Sequence, residues 1–406
     1  MALGSTTEPL RSELAHALPE RPFELNFWDG STLPSTNGVS GPVFSARSPR
    51  AVAHALRAPG QLGLSRAYVS GELAVDDIDA LLDLLRGWTP PPIDRTARRR
   101  LLLAAVRAAG IMRPPRPPGV ELRPRGTRHS VERDARAVRH HYDVANEFFA
   151  LFLDASMTYS CAIFEDPATD DEPLESAQER KLETICRKLA LTPGERVLDV
   201  GCGWGSFAIH AATRHGAGVV GITLSAPQAA LARERAAAAG VADRVEIRVA
   251  DYRDLGGERF DAIASIGMVE HVGGGQLDAY AAALAAALSP GGRLLNHGIA
   301  RLRHGNVEPG AFSDRYVFPD AAPMHLSRVL LALERAGFTC EHVESYAEHY
   351  ARTLAHWARR LDEHAAEAER LAGVERMRVW RLYLRAARNG FQTGFTSIYQ
   401  VRCRRG

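Results

Sequence analysis

Short apolar runs alternate with helix-forming stretches through the second half of the chain. The apolar runs predict β-strands, at Arg196–Val200, Gly218–Thr223, Val245–Val249, Phe260–Ser265 and Arg293–Ile299. Helices are predicted between them, at Ser206–Arg214, Ala226–Ala239 and Gln276–Leu288. Strands that alternate with helices of about 10–15 residues indicate a parallel sheet with helices on both faces. The pattern therefore predicts an α/β fold with a doubly wound, mostly parallel sheet.

The first third of the chain has a different pattern and is predicted to form a smaller domain. Short apolar runs are separated by turn signals there, and Ile78–Leu85 has apolar residues at helical spacing. Arg95–Ala109 is predicted to be a basic amphipathic helix. Four prolines at positions 114–118 then form a stiff connector, because proline cannot continue a helix. We therefore predict two domains, residues 1–125 and residues 126–406.

The composition is that of a water-soluble globular protein. Apolar residues make up 46% of the chain and charged residues 24%, which excludes a disordered or collagenous chain. The longest apolar stretch, Leu101–Met112, is interrupted by Arg107 and is shorter than the roughly 18–20 residues that a membrane span needs. The N-terminus lacks the pattern of a signal peptide. The five cysteines lack the spacing of a metal site, so no metal is expected and a cytoplasmic location is predicted.

Positive charge is concentrated in one part of the chain. The net charge is only +2, yet Arg86–Arg139 contains 14 arginines against four acidic residues. Because a guanidinium group can give two parallel hydrogen bonds to phosphate, this stretch predicts contact with an anionic surface. A solvated helix face followed by a linker is the alternative. Aromatic residues for base stacking are nearly absent, which favours phospholipid head groups over nucleic acid. We hypothesise that the N-terminal domain binds membranes peripherally through Arg95, Arg98, Arg99 and Arg100.

A glycine-rich turn follows the first strand of the predicted sheet. Gly201, Gly203 and Gly205 stand between Val200 and the next helix, where a backbone can approach an anionic ligand closely. A dinucleotide-binding fold expects a different glycine spacing and an acidic residue about 20 residues on, and neither is present. The Gly-Lys-Ser/Thr sequence of a nucleoside triphosphatase is also missing. The acidic residues are instead Asp199, before the turn, and Asp251, after a later strand. This arrangement resembles the class I S-adenosylmethionine (SAM)-dependent methyltransferases, which have a Rossmann-like fold, although a structural turn would also explain the glycines.

Several further motifs, in a fixed order, narrow the resemblance. They are His141-Tyr142-Asp143-Val144-Ala145-Asn146, Met157-Thr158-Tyr159-Ser160-Cys161-Ala162, Gly221-Ile222-Thr223-Leu224-Ser225, Gly267-Met268-Val269-Glu270-His271-Val272-Gly273 and Tyr316-Val317-Phe318-Pro319. Over residues 138–400 the chain resembles the cyclopropane-fatty-acyl-phospholipid synthases and the mycolic-acid cyclopropane synthases. The resemblance implies a SAM site in which Tyr159 and Ser160 bind the amino-acid end and the glycine turn lies beneath the cofactor. It also implies that Thr223 and Gln228 reach the ribose side and that Asp251 and Tyr252 flank the adenine. The complete implied set is Tyr159, Ser160, Asp199, Gly201, Gly203, Gly205, Thr223, Gln228, Asp251 and Tyr252.

The resemblance also implies the chemistry. In that family an alkene attacks the activated methyl group, and a bound bicarbonate ion removes a proton from the resulting cation. The matching residues here are Cys161, Glu270, His297, Tyr350 and the backbone of Ile299. Simpler explanations exist: Cys161 can be inert filler, His297 a core histidine, and Glu270 a surface polar residue after a strand. Tyr346 competes with Tyr350 as the phenol, but only Tyr350 lies in the Tyr350–Leu354 motif with its Thr-Leu pair. Some relatives carry a cysteine in the last long helix, where this chain has Arg385–Arg388, which argues against covalent cysteine catalysis.

The leading hypothesis is a peripheral membrane enzyme that adds a one-carbon unit to a cis double bond of a phospholipid acyl chain, with cyclopropane as the default product. One alternative gives a methylene branch, which a partner reductase would saturate. A second alternative is a methyltransferase of a small soluble nucleophile, which would need no bicarbonate. The sequence leaves the choice of product, the double-bond position, the head group and the presence of a homodimer open.

Overall fold

The computed structural model describes residues 7–36, 38, 41–110, 114–122, 145–169, 171–301, 310–318, 321 and 323–406. The chain divides into two compact units. Unit 1 consists of Met1–Leu122, Gly310–Val317 and Gly373–Ala386, and unit 2 consists of Arg123–Pro309, Phe318–Ala372 and Ala387–Gly406. The predicted boundary at residue 125 and the motif residues 141–144 lie outside the described residues. Two segments from late in the sequence therefore belong to the unit that begins the chain.

The described residues form helices of very different lengths. They are α1 (Glu8–Ala17), α2 (Pro49–Arg57), α3 (Gln61–Val69), α4 (Ile78–Gly87), α5 (Arg95–Ala109), α6 (Asn146–Ala150), α7 (Leu174–Lys188), α8 (Ser206–His215), α9 (Ala226–Ala238), α10 (Val269–Val272), α11 (Leu277–Ala287), α12 (Ala311–Tyr316), α13 (Leu326–Arg335), α14 (Ala347–Glu363), α15 (Ala365–Ala372) and α16 (Val374–Gln392). None of the helices described here is both long enough and apolar enough to cross a membrane.

The strands belong to two sheets, one in each unit. Those of unit 1 are β1 (Glu24–Asn26), β2 (Thr32–Leu33), β3 (Val43–Ala46) and β4 (Leu73–Val75). Those of unit 2 are β5 (Arg196–Val200), β6 (Gly218–Thr223), β7 (Val245–Val249), β8 (Phe260–Ile266), β9 (Leu288–Arg301), β10 (Phe338–Ser345) and β11 (Thr396–Arg405).

Unit 1 has a small four-stranded sheet and a modest apolar core. The strand order is β2-β1-β3-β4, and Leu10, Phe27, Leu33, Ala104 and Ala108 form one buried cluster. α5 has the predicted bounds, and Asp94 caps its N-terminus: the Asp94 carboxylate accepts a hydrogen bond from the Ala97 N–H at 2.8 Å. An oxygen-bearing side chain at this position satisfies a backbone donor that the helix itself leaves unpaired.

Unit 2 is the predicted doubly wound sheet, with the order β10-β11-β9-β8-β5-β6-β7. The pairs from β9 to β7 are parallel, whereas β11 runs antiparallel to both β9 and β10. Buried apolar side chains cover the two faces of the sheet in two clusters. This architecture is the class I methyltransferase fold. The carboxyl ends of β5, β6 and β7 meet at one edge, where open α/β sheets bind their ligands.

Candidate active site

A tight turn follows β5 at this edge. Gly201, Gly203 and Gly205 have φ angles of +82°, +53° and +81°, a region in which a side chain is strained. A Cβ atom at Gly203 would meet no heavy atom of the described structure within 4 Å, so the backbone is open to a ligand there. α8 begins directly after the turn, and its first N–H groups favour negative charge nearby. The turn can therefore cradle a polar ligand against bare backbone.

The polar side chains that follow β6 and β7 have protein partners. Thr223 Oγ1 donates to Gln228 Oε1 at 2.9 Å, and both side chains are buried. The carboxylate of Asp251 accepts two hydrogen bonds from the Arg253 guanidinium, at 2.8 and 2.6 Å. Burial opposes ionisation of Asp251, but the guanidinium group holds its pKa below the ordinary value. The turn 201–205, Thr223, Gln228 and Asp251 are termed the glycine-loop group.

Tyr252 is part of the apolar core beneath this edge. Its side chain is buried, and its ring meets Tyr280 edge-to-face with 5.4 Å between the centroids. The guanidinium carbon of Arg253 lies 5.3 Å from the centroid of the Tyr252 ring. This packing accounts for a tyrosine at position 252, and its contact with adenine stays a prediction.

Buried polar side chains of α7 donate hydrogen bonds to the segment that carries Ser160. Lys181 is 1% exposed, and its Nζ donates to Ser160 Oγ at 3.0 Å. Gln178 Nε2 donates to the carbonyl oxygens of Ser160 and Thr158, at 2.9 and 3.3 Å. Burial lowers the pKa of Lys181 to about 8 and raises the pKa of Asp199, on β5, to about 7. Both shifts favour the uncharged form, and the attraction between the two groups opposes them.

Aromatic rings connect the same segment to the glycine turn. The Tyr159 ring lies 5.2 Å from Trp357 and 5.7 Å from Phe149, measured between centroids. Phe149 in turn lies 5.0 Å from Trp204 of the turn. The Trp204 indole N–H donates to Asn146 Oδ1 at 2.8 Å, which fixes the ring. One series of packed aromatic rings therefore connects Tyr159 to the glycine turn in unit 2.

Cys161 is fully buried, and its thiol is protonated. Burial raises the pKa of the thiol far above its ordinary range. Sγ donates to the carbonyl oxygen of Ala162 at 3.1 Å and lies 3.7 Å from the carbonyl oxygen of Tyr346. The Ala162 N–H donates to Thr353 Oγ1 at 3.0 Å, which holds the segment against α14. A thiol in this setting acts as a hydrogen-bond donor rather than as a nucleophile.

Glu270 is buried on the short helix α10, which follows the end of β8. Burial raises the pKa of this carboxyl group to about 7, and the backbone N–H groups of Glu270 and Ile299 offset part of the effect. Its Oε2 atom has no hydrogen-bond partner among the described residues. A Cβ atom at Gly298 would lie 3.2 Å from that oxygen and 2.2 Å from Val269 Cγ1, so residue 298 must be glycine for α10 to pack here.

His297 lies on β9 with no exposed surface. Gln400 Oε1 accepts from Lys188 Nζ at 2.6 Å, so the Gln400 amide nitrogen faces His297 Nδ1, at 3.4 Å. Nδ1 therefore accepts, and the proton of the neutral ring lies on Nε2. Burial keeps the pKa of His297 well below its ordinary value, so the ring is neutral. Nε2 has no partner in the part of the chain that the structure describes, which makes it a free N–H donor.

The two tyrosines at the start of α14 have different surroundings. The Tyr346 hydroxyl donates to Glu344 at 2.6 Å and accepts from Lys188 at 3.0 Å. The Tyr346 ring lies 6.1 Å from the His297 ring. Tyr350 lies one turn later and packs on Phe391, with 4.7 Å between the ring centroids. The Tyr346 hydroxyl is thus bonded to Lys188 and Glu344, and the choice of Tyr350 as the phenol stays a prediction.

Three of the predicted residues are buried, and the contacts that link them are indirect. Glu270 Oε2 borders Gly298, the neighbour of His297 on β9. Cys161 Sγ lies 3.7 Å from the carbonyl oxygen of Tyr346, whose ring centroid lies 6.1 Å from that of His297. Cys161, Glu270 and His297 are termed the buried cluster. Sequence reasoning missed the polar side chains that support it, which are Gln178, Lys181, Lys188 and Gln400. The one available signal was that Lys181 and Lys188 are the chain's only lysines.

Comparison with known proteins gives consistent results. The family described as mycolic acid cyclopropane synthetase matches residues 129–401. A probable fatty acid methyltransferase of Mycobacterium tuberculosis is 39% identical over 402 residues, 96% of this chain and 92% of that protein. The cyclopropane-fatty-acyl-phospholipid synthase of Escherichia coli K12 is 32% identical, over 86% of this chain and 84% of that protein. The crystal structure of a mycolic acid cyclopropane synthase complexed with SAH and CTAB has 32% identity and a TM-score of 0.63, covering 67% of this chain and 98% of that one.

Proposed function

Because the chain belongs to the mycolic acid cyclopropane synthetase family and is a SAM-dependent methyltransferase of unsaturated lipid chains, we propose that it closes a cyclopropane ring on a phospholipid acyl chain. The observation that carries the proposal is the buried cluster. Glu270 Oε2 and His297 Nε2 are buried polar atoms without a partner among the described residues. An atom of this kind destabilises a fold by about 1–3 kcal/mol, so a ligand that pairs with both of these atoms would stabilise the folded protein.

The glycine-loop group fits SAM, which supplies an electrophilic methyl group when bound. The open backbone at Gly203 and the first N–H groups of α8 suit the cofactor's polar amino-acid end, together with Tyr159 and Ser160. Thr223 and Gln228 would bind the ribose, and Asp251 would accept from the adenine side. A relative that was crystallised with SAH supports this assignment.

The buried cluster fits bicarbonate, which supplies the base when bound. His297 offers a neutral N–H, and the protonated thiol of Cys161 would donate after turning away from the Ala162 carbonyl oxygen. An anion beside an ionised Glu270 would be repelled, but the raised pKa allows this carboxyl group to hold a proton at neutral pH. Tyr350 and the backbone of Ile299 would complete the set. The three side chains of the cluster thus act as neutral donors, and their burial excludes water from the cation.

The alternatives differ in what they require of this cluster. A small soluble nucleophile attacks the methyl group without a separate base, so an unpaired, buried Glu270 and His297 would then be unexplained. A methylene-branched product needs the same base as a cyclopropane. The similarity to a probable fatty acid methyltransferase is compatible with this product. That product would need a partner reductase.

Peripheral contact with an anionic membrane is the second part of the proposal. On α5, Arg95, Arg98 and Arg99 are exposed, as are Leu102 and Val106 one and two turns further on. Positions three and four residues apart share one helix face, so this face offers both charge and apolar surface to a lipid layer. Arg100 is paired with Glu13 at 3.0 Å, so it contributes less. The enzyme would act at the cytoplasmic surface of the membrane.

The experiment supplies purified protein with vesicles of a cis-monounsaturated anionic phospholipid and SAM that carries a fully deuterated methyl group. A ring or a methylene branch retains two of the three deuterium atoms. The third leaves as D⁺ when the ring closes or when the methylene double bond forms. Only the methylene product then takes up hydrogen under mild catalytic reduction. Transfer of an intact trideuteromethyl group to a water-soluble acceptor, with unlabelled lipid, would overturn the proposal.

The membrane contact is tested separately by vesicle sedimentation at low salt. The variant Arg95→Gln/Arg98→Gln/Arg99→Gln is expected to lose most of its binding to anionic vesicles. The control variant Arg187→Gln/Arg335→Gln/Arg370→Gln removes the same charge elsewhere and should bind as the wild type does. Equal binding by the two variants would remove α5 from the proposal.

A further inference from the structure

A second group of ligand-type side chains lies outside the candidate active site, between α7 and α8. Cys186 lies on α7, His210 lies on α8, and His215 is the last residue of α8. One potential ligand atom from each of these side chains lies within 4.8 Å of those of the other two. Glu183, one turn before Cys186 on α7, has its Oε2 3.3 Å from His210 Nε2 and 3.0 Å from His215 Nε2. Three groups that bind transition metals therefore converge from two helices, and Glu183 borders the two imidazoles.

We propose that Cys186, His210 and His215 bind a zinc ion, with Glu183 as the fourth ligand. Thiolate, imidazole and carboxylate are the ligands that zinc takes in proteins, and four of them complete its tetrahedral shell. Zinc–ligand bonds of about 2.0–2.3 Å place ligand atoms about 3.3–3.8 Å apart in a tetrahedron. The ligand atoms of Cys186, His210 and His215 lie within 4.8 Å of one another, so side-chain rotations can bring them to this spacing. Glu183 would in addition move towards Cys186 to complete the shell. The proposal is independent of the lipid chemistry and extends beyond it.

Burial and charge around these residues suit a metal ion. Cys186 has no exposed surface, and the side chains of His210 and His215 are 10% and 19% exposed, so the site is shielded but reachable. Burial holds the pKa of His210 below its ordinary value, which keeps the ring neutral as a ligand must be. Burial, with the nearby Glu183 carboxylate, raises the pKa of Cys186 to about 12, which zinc must overcome on binding. Zinc would displace the thiol proton to solvent, so binding should strengthen as the pH rises.

The surrounding charges include two cations that a bound ion must tolerate. Arg187 Nε lies 3.9 Å from Glu183 Oε1, and Arg214, next to His215, pairs with Glu179 at 2.8 Å. Both guanidinium groups are exposed and carry a carboxylate partner, so their repulsion is screened. The carboxylate of Glu183 and the thiolate formed on binding neutralise a divalent cation.

The position in the fold gives the site a consequence. α7 carries Lys181 and Gln178, which hold the Ser160 segment, and α8 begins at the glycine turn. A zinc ion would cross-link these two helices at their carboxyl-terminal ends. The ion would therefore stabilise unit 2, whether or not substrate is present.

Cobalt substitution tests the site directly. Tag-free protein is stripped with a chelator and titrated with Co²⁺, whose thiolate complexes absorb in the near ultraviolet and whose tetrahedral complexes absorb strongly in the visible. We expect one equivalent to give both bands and Zn²⁺ to displace it. His215→Gln should bind at least tenfold more weakly, and Cys186→Ser should lose the near-ultraviolet band. The controls His342→Gln, at an exposed histidine, and Cys340→Ser should behave as the wild type does.

Thermal unfolding supplies the second readout. Zn²⁺ should raise the Tm of the wild type and of both controls, and leave that of His215→Gln unchanged. His215 is partly exposed at a helix end, so this variant is expected to fold even if Cys186→Ser does not. Absence of the thiolate band in folded wild-type protein, or an unchanged band in His215→Gln, would overturn the zinc site. Neither result bears on lipid methylation.

Discussion

The two polar regions of unit 2 differ in how their side chains are satisfied. In the glycine-loop group, Thr223 is paired with Gln228 and Asp251 with Arg253. In the buried cluster, Glu270 and His297 each keep a polar atom without a partner among the described residues. A paired group holds its shape before a ligand arrives, whereas an unpaired buried group raises the free energy of the fold until a ligand meets it. Substitutions should therefore affect cofactor affinity in the first region and turnover in the second.

The largest expected effect comes from Glu270→Gln. The amide cannot share a proton with a bound base, so turnover should fall about 10²- to 10⁴-fold. The dissociation constant for SAM, measured by calorimetry, should change less than about threefold, because Glu270 lies outside the glycine-loop group. Comparable turnover by the variant, or a large loss of SAM affinity with normal turnover, would erase the distinction between the two regions.

The same substitution should stabilise the protein above neutral pH. Burial raises the pKa of Glu270 from 4.5 to about 7, so folding favours the protonated carboxyl group. Its contribution to stability is complete below about pH 4.5 and is lost as the pH rises through 7. By linkage the loss is up to about 3 kcal/mol. Urea unfolding at about pH 8 should show Glu270→Gln to be more stable than the wild type, with the difference vanishing near pH 4. A constant difference across this range would contradict an unpaired, buried carboxyl group.

A matched pair of glycine substitutions probes the turn. Gly203→Ala and Gly194→Ala both place a side chain at positive φ, where no heavy atom of the described structure lies within 4 Å. Each should cost about 1–2 kcal/mol of stability, seen in denaturant titrations. Gly203→Ala alone should also weaken SAM binding, by about tenfold, since the methyl group would project towards the cofactor. Equal SAM affinities in the two variants would mean that the open side of Gly203 faces only solvent.

The smallest effect is expected from Thr223→Val. The change removes one hydroxyl that is paired with Gln228, which is worth about 1 kcal/mol. SAM should bind about fivefold more weakly, with turnover at saturating SAM unchanged. Ser65→Ala, which removes another buried hydroxyl bonded within its own helix, should leave SAM binding intact. A fall in turnover at saturation would place Thr223 with the buried cluster instead.

Local signals in the sequence predict the parallel strands well. The structure has β5, β6 and β7 at the bounds that the sequence predicts, because each is a short apolar run between turn residues. β9 is longer than predicted, Leu288–Arg301 rather than Arg293–Ile299, since pairing with β8 and β11 extends it beyond its apolar centre. β10 and β11 were not predicted, and their pairing joins residues about 60 positions apart.

The residues of the candidate site also differ in whether a local sequence pattern predicts them. Cys161 and Glu270 could be proposed from the sequence because each stands in a short run of characteristic residues, and His297 through the family resemblance; their roles stay predictions. The supporting side chains have no such run: Lys188 and Gln400 are 212 residues apart in sequence and meet only in the fold. The proposed zinc ligands are similar, since their spacing follows from the packing of two helices rather than from a compact motif. Long-range packing, not local pattern, decides these positions.

The placement of the two lysines has a practical consequence for chemical labelling. Lys181 is 1% exposed, and the Lys188 side chain is 16% exposed and bound to Gln400. Apart from these two lysines, the strongly basic side chains of the chain are arginines, which amine-acylating reagents do not modify. The folded protein should therefore resist acylation at its side-chain amines, and partial unfolding of unit 2 should expose both of them. Acylation at these two lysines, followed by mass spectrometry, would thus report on the integrity of unit 2.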